Sequence, residues 1–451
     1  MRFSLLLHYS VRSLAAALLV GSLSGCGLFG LTEDWFGEAE GPPLPGERVA
    51  VLTMSEALQA DPRLVDTPVK LPRPRVNPNW EQSGGRVDNA NQHLAAGEIL
   101  KEAWVASIGT GSSSERRMMA APIVVDGKVF AMDVNANLSA FEAASGKLLW
   151  RTKLAPKDEN DGFGGGIAYY EGKIYAATGF AEVVAVKVAD GAIAWRTALP
   201  GPMRAAPAVL AGRVFAVTID NQTHALDSET GEKLWFHAGL AEVASLLGAA
   251  SPAGQAGNVV TAYSSGELVA LRVENGRALW ADNLSNVRRI DALSSIADIR
   301  GKPVIDRGVV YAISHSGRMV AIDLRSGGRI WERPIAGVET PWVAGDFIYV
   351  LTVDSQILCL TRDSGRVRWV TQLPHFVNEE KNKYPIIWTG PVLVSDRLVV
   401  GGSHGLAMTI SPYTGELLGM QPMPAGVSIP PIVAGETLYF LSDNARLVAL
   451  R

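Results

Sequence analysis

From about residue 100 onward the chain repeats one short pattern of apolar and polar positions. A four- or five-residue apolar stretch ends on a polar residue, as in LSAFE (138–142), VVAVK (183–187), THALD (223–227), LVALR (268–272), MVAID (319–323), ILCLT (357–361) and AMTIS (407–411). A turn-forming run ending in glycine follows each, and four residues after that glycine comes tryptophan: Gly146–Trp150, Gly191–Trp195, Gly231–Trp235, Gly276–Trp280, Gly327–Trp331 and Gly365–Trp369. A seventh copy pairs Gly415 with Gly419 where the tryptophan is expected. Upstream of every apolar stretch lies a hairpin pair such as APIVVDGKVFAMD (121–133), APAVLAGRVFAVT (206–218) or KPVIDRGVVYAIS (302–314). Two apolar runs joined by a tight glycine turn read as a β-hairpin, so each unit predicts four short strands. The glycine spacings of 45, 40, 45, 51, 38 and 50 residues are those of propeller blades.

Three-strand groups begin near Met119, Phe163, Arg204, Leu247, Lys302, Thr340, Thr389 and Ile429, which makes eight. The last group stops at 447–451 with no fourth strand after it, whereas a lone strand with the expected tryptophan, 102–106, precedes the first group. An unpaired outer edge is normally covered, so the early strand is expected to complete the eighth blade. The fold class predicted is all-β, an eight-bladed propeller over residues 100–451 whose last blade is closed by an N-terminal strand. The repeated glycines supply turn backbone at positive φ, and the tryptophans are expected to pack between neighbouring blades. Cys359 falls at a buried-type strand position.

Residues 1–25 read differently. Arg2 and Arg12 accompany a compact apolar run at 14–20, too short to span a bilayer but sized for a secretory signal, and Leu23-Ser24-Gly25-Cys26 follows. This tetrad resembles the bacterial lipobox, which implies lipidation of Cys26 and cleavage before it. Several acyl chains, at about 0.8 kcal/mol per buried methylene, would hold the protein stably on a membrane. Residues 26–99 are expected as a Pro-rich tether: eight of the 25 prolines lie between Gly41 and Trp80, and proline favours extended, semi-rigid chain. Trp80 is expected to be pinned on the globular body.

Composition narrows the chemistry. With 41 Lys plus Arg against 45 Asp plus Glu among 451 residues, the formal charge is −4 and no basic block stands out, which argues against a nucleic-acid partner. Two cysteines exclude a disulfide framework, a four-cysteine zinc site and haem attachment. No calcium-loop spacing and no phosphate-loop lysine accompany the glycines at 162–166. His315 and His404, in the hairpin turns SHSG and SHG two blades apart, read as polar turn residues. No nucleophile, base and orienting group come together in the sequence, so no catalytic residue, cofactor or metal is expected.

The blade repeat resembles the quinoprotein type of β-propeller, found in pyrroloquinoline quinone (PQQ) dehydrogenases and in non-enzymatic relatives. The dehydrogenases use adjacent cysteines against the quinone, which Cys359 alone cannot provide. A lipobox followed by an eight-bladed propeller of this type resembles the BamB family, lipoprotein scaffolds of the outer-membrane β-barrel assembly machinery. That resemblance implies a non-catalytic protein on the outer membrane facing the periplasm, bound to the POTRA domains of BamA and to other assembly subunits, and assisting unfolded outer-membrane proteins. It extends to two loops, LAEVASLLGAASP (240–252) and RRIDALSSIADIRGKP (288–303). The family's pattern S-L-x-L-R-G in the first and I-D-x-L-x-D-x-D in the second carries over to Leu246, Asp291, Leu293 and Asp298. Leu247 stands where the family has arginine, and Arg288 and Arg289 are candidates to supply the missing charge. Two other readings stay open: a lipid-anchored PQQ-type dehydrogenase, and a cell-envelope propeller binding another ligand or protein.

Overall fold

The computed structural model describes residues 58–157, 159, 162, 164–242, 245–285 and 297–451. The signal segment 1–25, Cys26 and the tether as far as residue 57 lie outside the described residues, as do Arg288, Arg289, Asp291 and Leu293. Eight four-stranded antiparallel sheets form the eight predicted blades. The first comprises Ile123–Val125, Lys128–Met132, Asn137–Glu142 and Leu148–Lys153 from the axis outward. The eighth takes three strands from the C-terminal end, Ile432–Ala434, Thr437–Ser442 and Arg446–Leu450, and its outer strand Glu102–Ser107 from before blade one. The pairing Trp104↔Ala449 through Ser107↔Arg446 closes the ring, as the lone early strand predicts. One small hairpin, Phe376–Asn378 with Lys383–Pro385, is added between blades six and seven.

The repeat has a packing reason at each position. Inner hairpins turn through two residues of positive φ, as at Asp126-Gly127 (47° and 71°) and Ala256-Gly257 (51° and 77°), the geometry whose twist matches paired strands. Across six of the eight sheets an aromatic–small–tryptophan row forms: Phe130, Ala140 and Trp150 stand opposite one another in blade one, and Tyr175, Ala185 and Trp195 in blade two. The small middle residue lets the two rings meet over it, at 5.8 Å and 5.9 Å between centroids. Cys359 occupies this middle position in blade six, between Tyr349 and Trp369. It is fully buried there, and burial raises its thiol pKa, so it acts as a packing residue.

Each of the seven repeat tryptophans also docks on the next blade. The indole Nε1 donates to the first carbonyl after that blade's third strand: Trp104 to Ala143 (3.0 Å), Trp150 to Val188 (3.1 Å), Trp195 to Ser228 (3.1 Å) and Trp280 to Leu324 (2.8 Å). The repeat glycine is where the ring lies. A Cβ added to Gly231 would come within 2.7 Å of the Trp195 ring, and one added to Gly276 within 2.5 Å of Trp235. A glycine is therefore needed twice over, for a φ near +75° and for the indole of the preceding blade. Gly419 is the exception that the same logic explains. Its tryptophan would dock on the turn between the third and fourth strands of blade eight, but those strands are not consecutive in the chain, so the turn does not exist.

The segment expected as tether meets a different geometry from Leu58 onward, where it belongs to the same compact unit as the blades. Residues 77–96 run around the axis and bond to the innermost strand of each blade in turn. Gly435 donates to Asn77, Trp80 to Val124, Tyr169 to Glu81, Gly254 to Val87 and Ile305 to Asp88, all at 2.7–2.8 Å. Val209 and Gly345 donate to the side chains of Gln82 and Gln92 (3.2 and 3.0 Å), and Leu94 donates to Leu393 (3.4 Å). Every inner strand is a sheet edge with free backbone donors or acceptors, and this strap supplies partners to all eight. Trp80 is pinned as expected, with 3% of its surface exposed.

Candidate functional site

In antiparallel blades the inner hairpin turns and the turns between second and third strands lie on opposite faces. The strap takes the first face. The two loops singled out in the sequence, which lead from blade three to four and from blade four to five, take the second. The first is anchored where Asn221, in a turn of blade three, donates to the Leu240 carbonyl at 2.6 Å. The second is anchored where Ile299 donates to Tyr263 (3.4 Å) and His315 donates to the Asp298 carbonyl (3.0 Å).

Among the described residues a hydrogen bond ties the two loops together. An Asp298 carboxylate oxygen accepts the backbone N–H of Leu246 at 2.8 Å. Asp298 is 2% exposed. Burial pushes its carboxyl pKa up, opposed by the Leu246 N–H and by Arg300, His315 and Arg204. Asp298, expected at a partner surface, thus faces inward and sets the loop geometry. Leu247, the next residue, is 44% exposed, and Leu240 at the loop's start is 61% exposed. Leu246 itself is half-buried. Apolar side chains on a rim whose backbone is tied down are what a binding surface needs, because ordering costs are met before a partner arrives.

Two cations that the sequence reading passed over stand at this corner. Arg300 lies against Gly248, whose added Cβ would meet its Nε at 3.2 Å, and pairs with Glu339 of blade six at 3.1 Å. Arg204 lines, with Asp298, Asn221, Ser264 and Gly248, a small cavity of about 20 Å³ between the loops. A signal for both existed. Each lies three residues before the proline that opens an inner strand, where other blades carry Met119, Ala249, Val338 and Ser428.

Among the described residues no three His, Cys, Asp or Glu side chains cluster as a metal site. His404 packs edge-on against Trp388 at 5.2 Å, and burial lowers its pKa, while the backbone of His315 is spent on Asp298. What the geometry defines is a rigid propeller with one strapped face and one face of rim loops, a binding architecture.

The comparisons with known proteins agree on the family. The family model described as outer membrane protein assembly factor BamB matches residues 134–371. An outer membrane protein assembly factor BamB of Alkalilimnicola ehrlichii is 31% identical over 360 residues, covering 79% of this chain and 89% of that one. The chain belongs to the BamB family. It also spans 66% of the length of an uncharacterized protein of Rickettsia prowazekii, at 28% identity over 275 residues that make up 60% of this chain. Among solved structures, BamB from Moraxella catarrhalis superposes with a TM-score of 0.65 at 16% identity, over 78% of this chain and all of that one. A quinohemoprotein alcohol dehydrogenase from Comamonas testosteroni superposes at 0.63 and 13% identity, over 83% of this chain and 80% of that one. At such identities the two structures establish the shared propeller.

Proposed function

We propose that this chain is a non-catalytic scaffold of the outer-membrane β-barrel assembly machinery. In this reading Cys26 carries the lipid that holds it on the outer membrane facing the periplasm. The rim loops at 240–252 and 288–303 bind the POTRA domains of BamA, and the disc helps present unfolded barrel proteins for insertion. The observation that carries it is the Asp298–Leu246 hydrogen bond, which joins loops of two adjacent blades into one surface with Leu240 and Leu247 outward. Interfaces of this kind depend on a few anchors rather than on area. Leu247 and Leu240 are the anchors assigned here, with Arg288, Arg289, Asp291 and Leu293 as further contacts. Family membership supports the reading, and so does the sequence, in which Cys359 is the sole cysteine after Cys26 and no adjacent pair can face a quinone.

The test is crosslinking and affinity recovery of the lipidated protein from its native envelope. Wild type should recover BamA, and Leu247→Asp should recover at least about tenfold less while keeping its melting temperature, since a central anchor is worth about 2 kcal/mol or more. Recovery of no assembly subunit from wild type after crosslinking would sink the scaffold reading. Undiminished recovery with both Leu240→Asp and Leu247→Asp would move the interface elsewhere on the disc.

A further inference from the structure

The residue before the proline that opens each inner strand forms a ring around the propeller axis. Reading around the blades it is Ala121, Ala206, Ser251, Lys302, Thr340, Gly390 and Pro430, with Gly166 at the corresponding place in blade two. Seven of these are small or apolar, and one is a lysine. Lys302 lines an axial cavity of about 40 Å³ that the strap covers with Trp80, Ser83, Gly84, Asn89 and Asn91.

Two buried polar groups at this cavity are left over beside the lysine. The Trp80 indole N–H is buried with no hydrogen-bond partner, and so is the Asn91 side-chain oxygen, in residues that are each 3% exposed. Among the described residues the Lys302 ammonium has neither a hydrogen bond nor an ion pair. Its nearest acid, Glu339, is already engaged: one oxygen pairs with Arg300 at 3.1 Å and the other accepts from Thr389 at 3.1 Å. Burial accordingly lowers the lysine's pKa, with Glu339 opposing. Leaving a buried donor or acceptor unmet, as at Trp80 and Asn91, costs about 1–3 kcal/mol. Natural cores rarely retain such a cluster unless something meets it.

We propose that this axial cavity is a binding site for a small carboxylate. The Lys302 ammonium and the Trp80 N–H would donate to its oxygens, and Asn91 would accept from the lysine or from a co-bound water. Charge and size both select this class. Arg300 and Glu339 neutralise each other, so one monoanion balances Lys302. At about 40 Å³ the cavity exceeds the roughly 10–15 Å³ that one water needs, so it has room for a small organic acid such as acetate. The source can be a free small acid or the terminal carboxylate of a peptide whose chain leaves along the axis.

The full chain, labelled with ¹⁵N at tryptophan, is titrated with sodium acetate against sodium chloride at constant ionic strength, and the Trp80 indole resonance is identified by its loss in Trp80→Phe. Acetate is expected to shift that resonance saturably and to raise the melting temperature, whereas chloride does neither. Lys302→Met should weaken acetate binding at least about tenfold, as expected when a charge-assisted bond is lost. Trp80→Phe, which keeps an aromatic ring but removes the N–H, should weaken the thermal response in the same direction. A short peptide with a free C-terminus that competes with acetate, while its C-terminal amide does not, assigns the peptide source. Failure of both peptides with acetate still binding assigns the free acid. A resonance that does not move, or that moves equally in Lys302→Met, overturns the proposal.

Discussion

Gly419→Trp should stabilise the propeller. At seven of the eight blade junctions the middle of the outer strand is a tryptophan docked on the following blade. At the junction of blades seven and eight Gly419 leaves instead a cavity of about 230 Å³, lined by Thr409, Met420, Leu438, Phe440, Leu450 and Leu100 among others. The backbone at Gly419 accepts a side chain: its φ is not positive, and an added Cβ meets only the Thr409 hydroxyl, at 3.5 Å. Gly419 pairs with Thr409 as Trp150 pairs with Ala140, so the indole would leave the sheet in the same direction. Burying a tryptophan removes about 150–250 Å² from water, worth roughly 4–6 kcal/mol at 25 cal/mol per Å². Compactness of the unfolded chain takes away up to about 40% of that. Ordering the side chain costs about 1 kcal/mol more, and Leu100 and Met420 already cover part of the slot. A net gain of about 1–3 kcal/mol remains. Urea unfolding followed by far-ultraviolet circular dichroism reads it as a higher midpoint at an unchanged slope. An equal or lower midpoint would refute the reasoning, because the cavity, which lacks the docking turn of the other seven junctions, would then not accept the ring.

Gly231→Ala and Gly257→Ala pay the same left-handed backbone penalty of about 1–2 kcal/mol, at φ +75° and +77°. An added Cβ at Gly231 meets Trp195 at 2.7 Å and at Gly257 meets nothing within 4 Å, so Gly231→Ala should be worse by about 1–3 kcal/mol in the same urea assay; equal losses would remove the docking role of the glycine. Asp298, whose pKa burial raises, holds its proton in the native state to higher pH than in the unfolded chain, so its contribution is full at low pH and is lost as pH rises through the native value. Asp298→Asn keeps an acceptor for Leu246, and its stability relative to wild type should therefore increase from about pH 4 to pH 7; a difference that is flat or falls over that range would contradict the burial argument.

How much of this was legible in the sequence depended on how local each cause is. The blades were readable because turn chemistry, strand alternation and the Gly–Trp spacing all act within one unit, and the same unit recurs. The closure by 102–106 was readable because a tryptophan marks the strand that would otherwise be missing. The strap was not, since Asn77 through Leu94 carry no period of their own. Their partners are backbone groups of eight strands spread from Val124 to Gly435, and proline content suggested a spacer where the chain instead follows a curved path. Asp298 was found by its place in a loop pattern, but its burial could not be seen, because the amide that holds it belongs to a residue 52 positions away. Arg204, Arg300 and Lys302 could have been found by aligning the blades on their opening prolines, where a charge stands out against uncharged residues. The repeat carried the fold, and the axial residues had to be read from the structure.

The strap and the seam explain each other. A ring of eight blades built from one chain has one junction where the repeat cannot be completed, and here it falls between blades seven and eight, beside Gly419. The strap begins on blade eight, where Gly435 donates to Asn77, and after visiting the other blades ends on blade seven, where Leu94 bonds to Leu393 and Ser395. Ala96 then bonds both ways with the Ser395 hydroxyl at 2.8 Å, and Arg397 of blade seven donates to Glu98 just before the closing strand. Its two ends therefore clasp the junction that lacks a docked tryptophan, and its middle meets the backbone groups of the inner edges. Each such bond is worth only about 1 kcal/mol net, but they act on one continuous segment, so opening the seam requires releasing several at once. Because the strap lies on the inner-hairpin face, this reinforcement leaves the opposite face, with Leu240, Leu247 and the Asp298 tie, free of it. A disc made rigid from one side can hold loops in fixed register on the other, which is the property a scaffold needs from its fold.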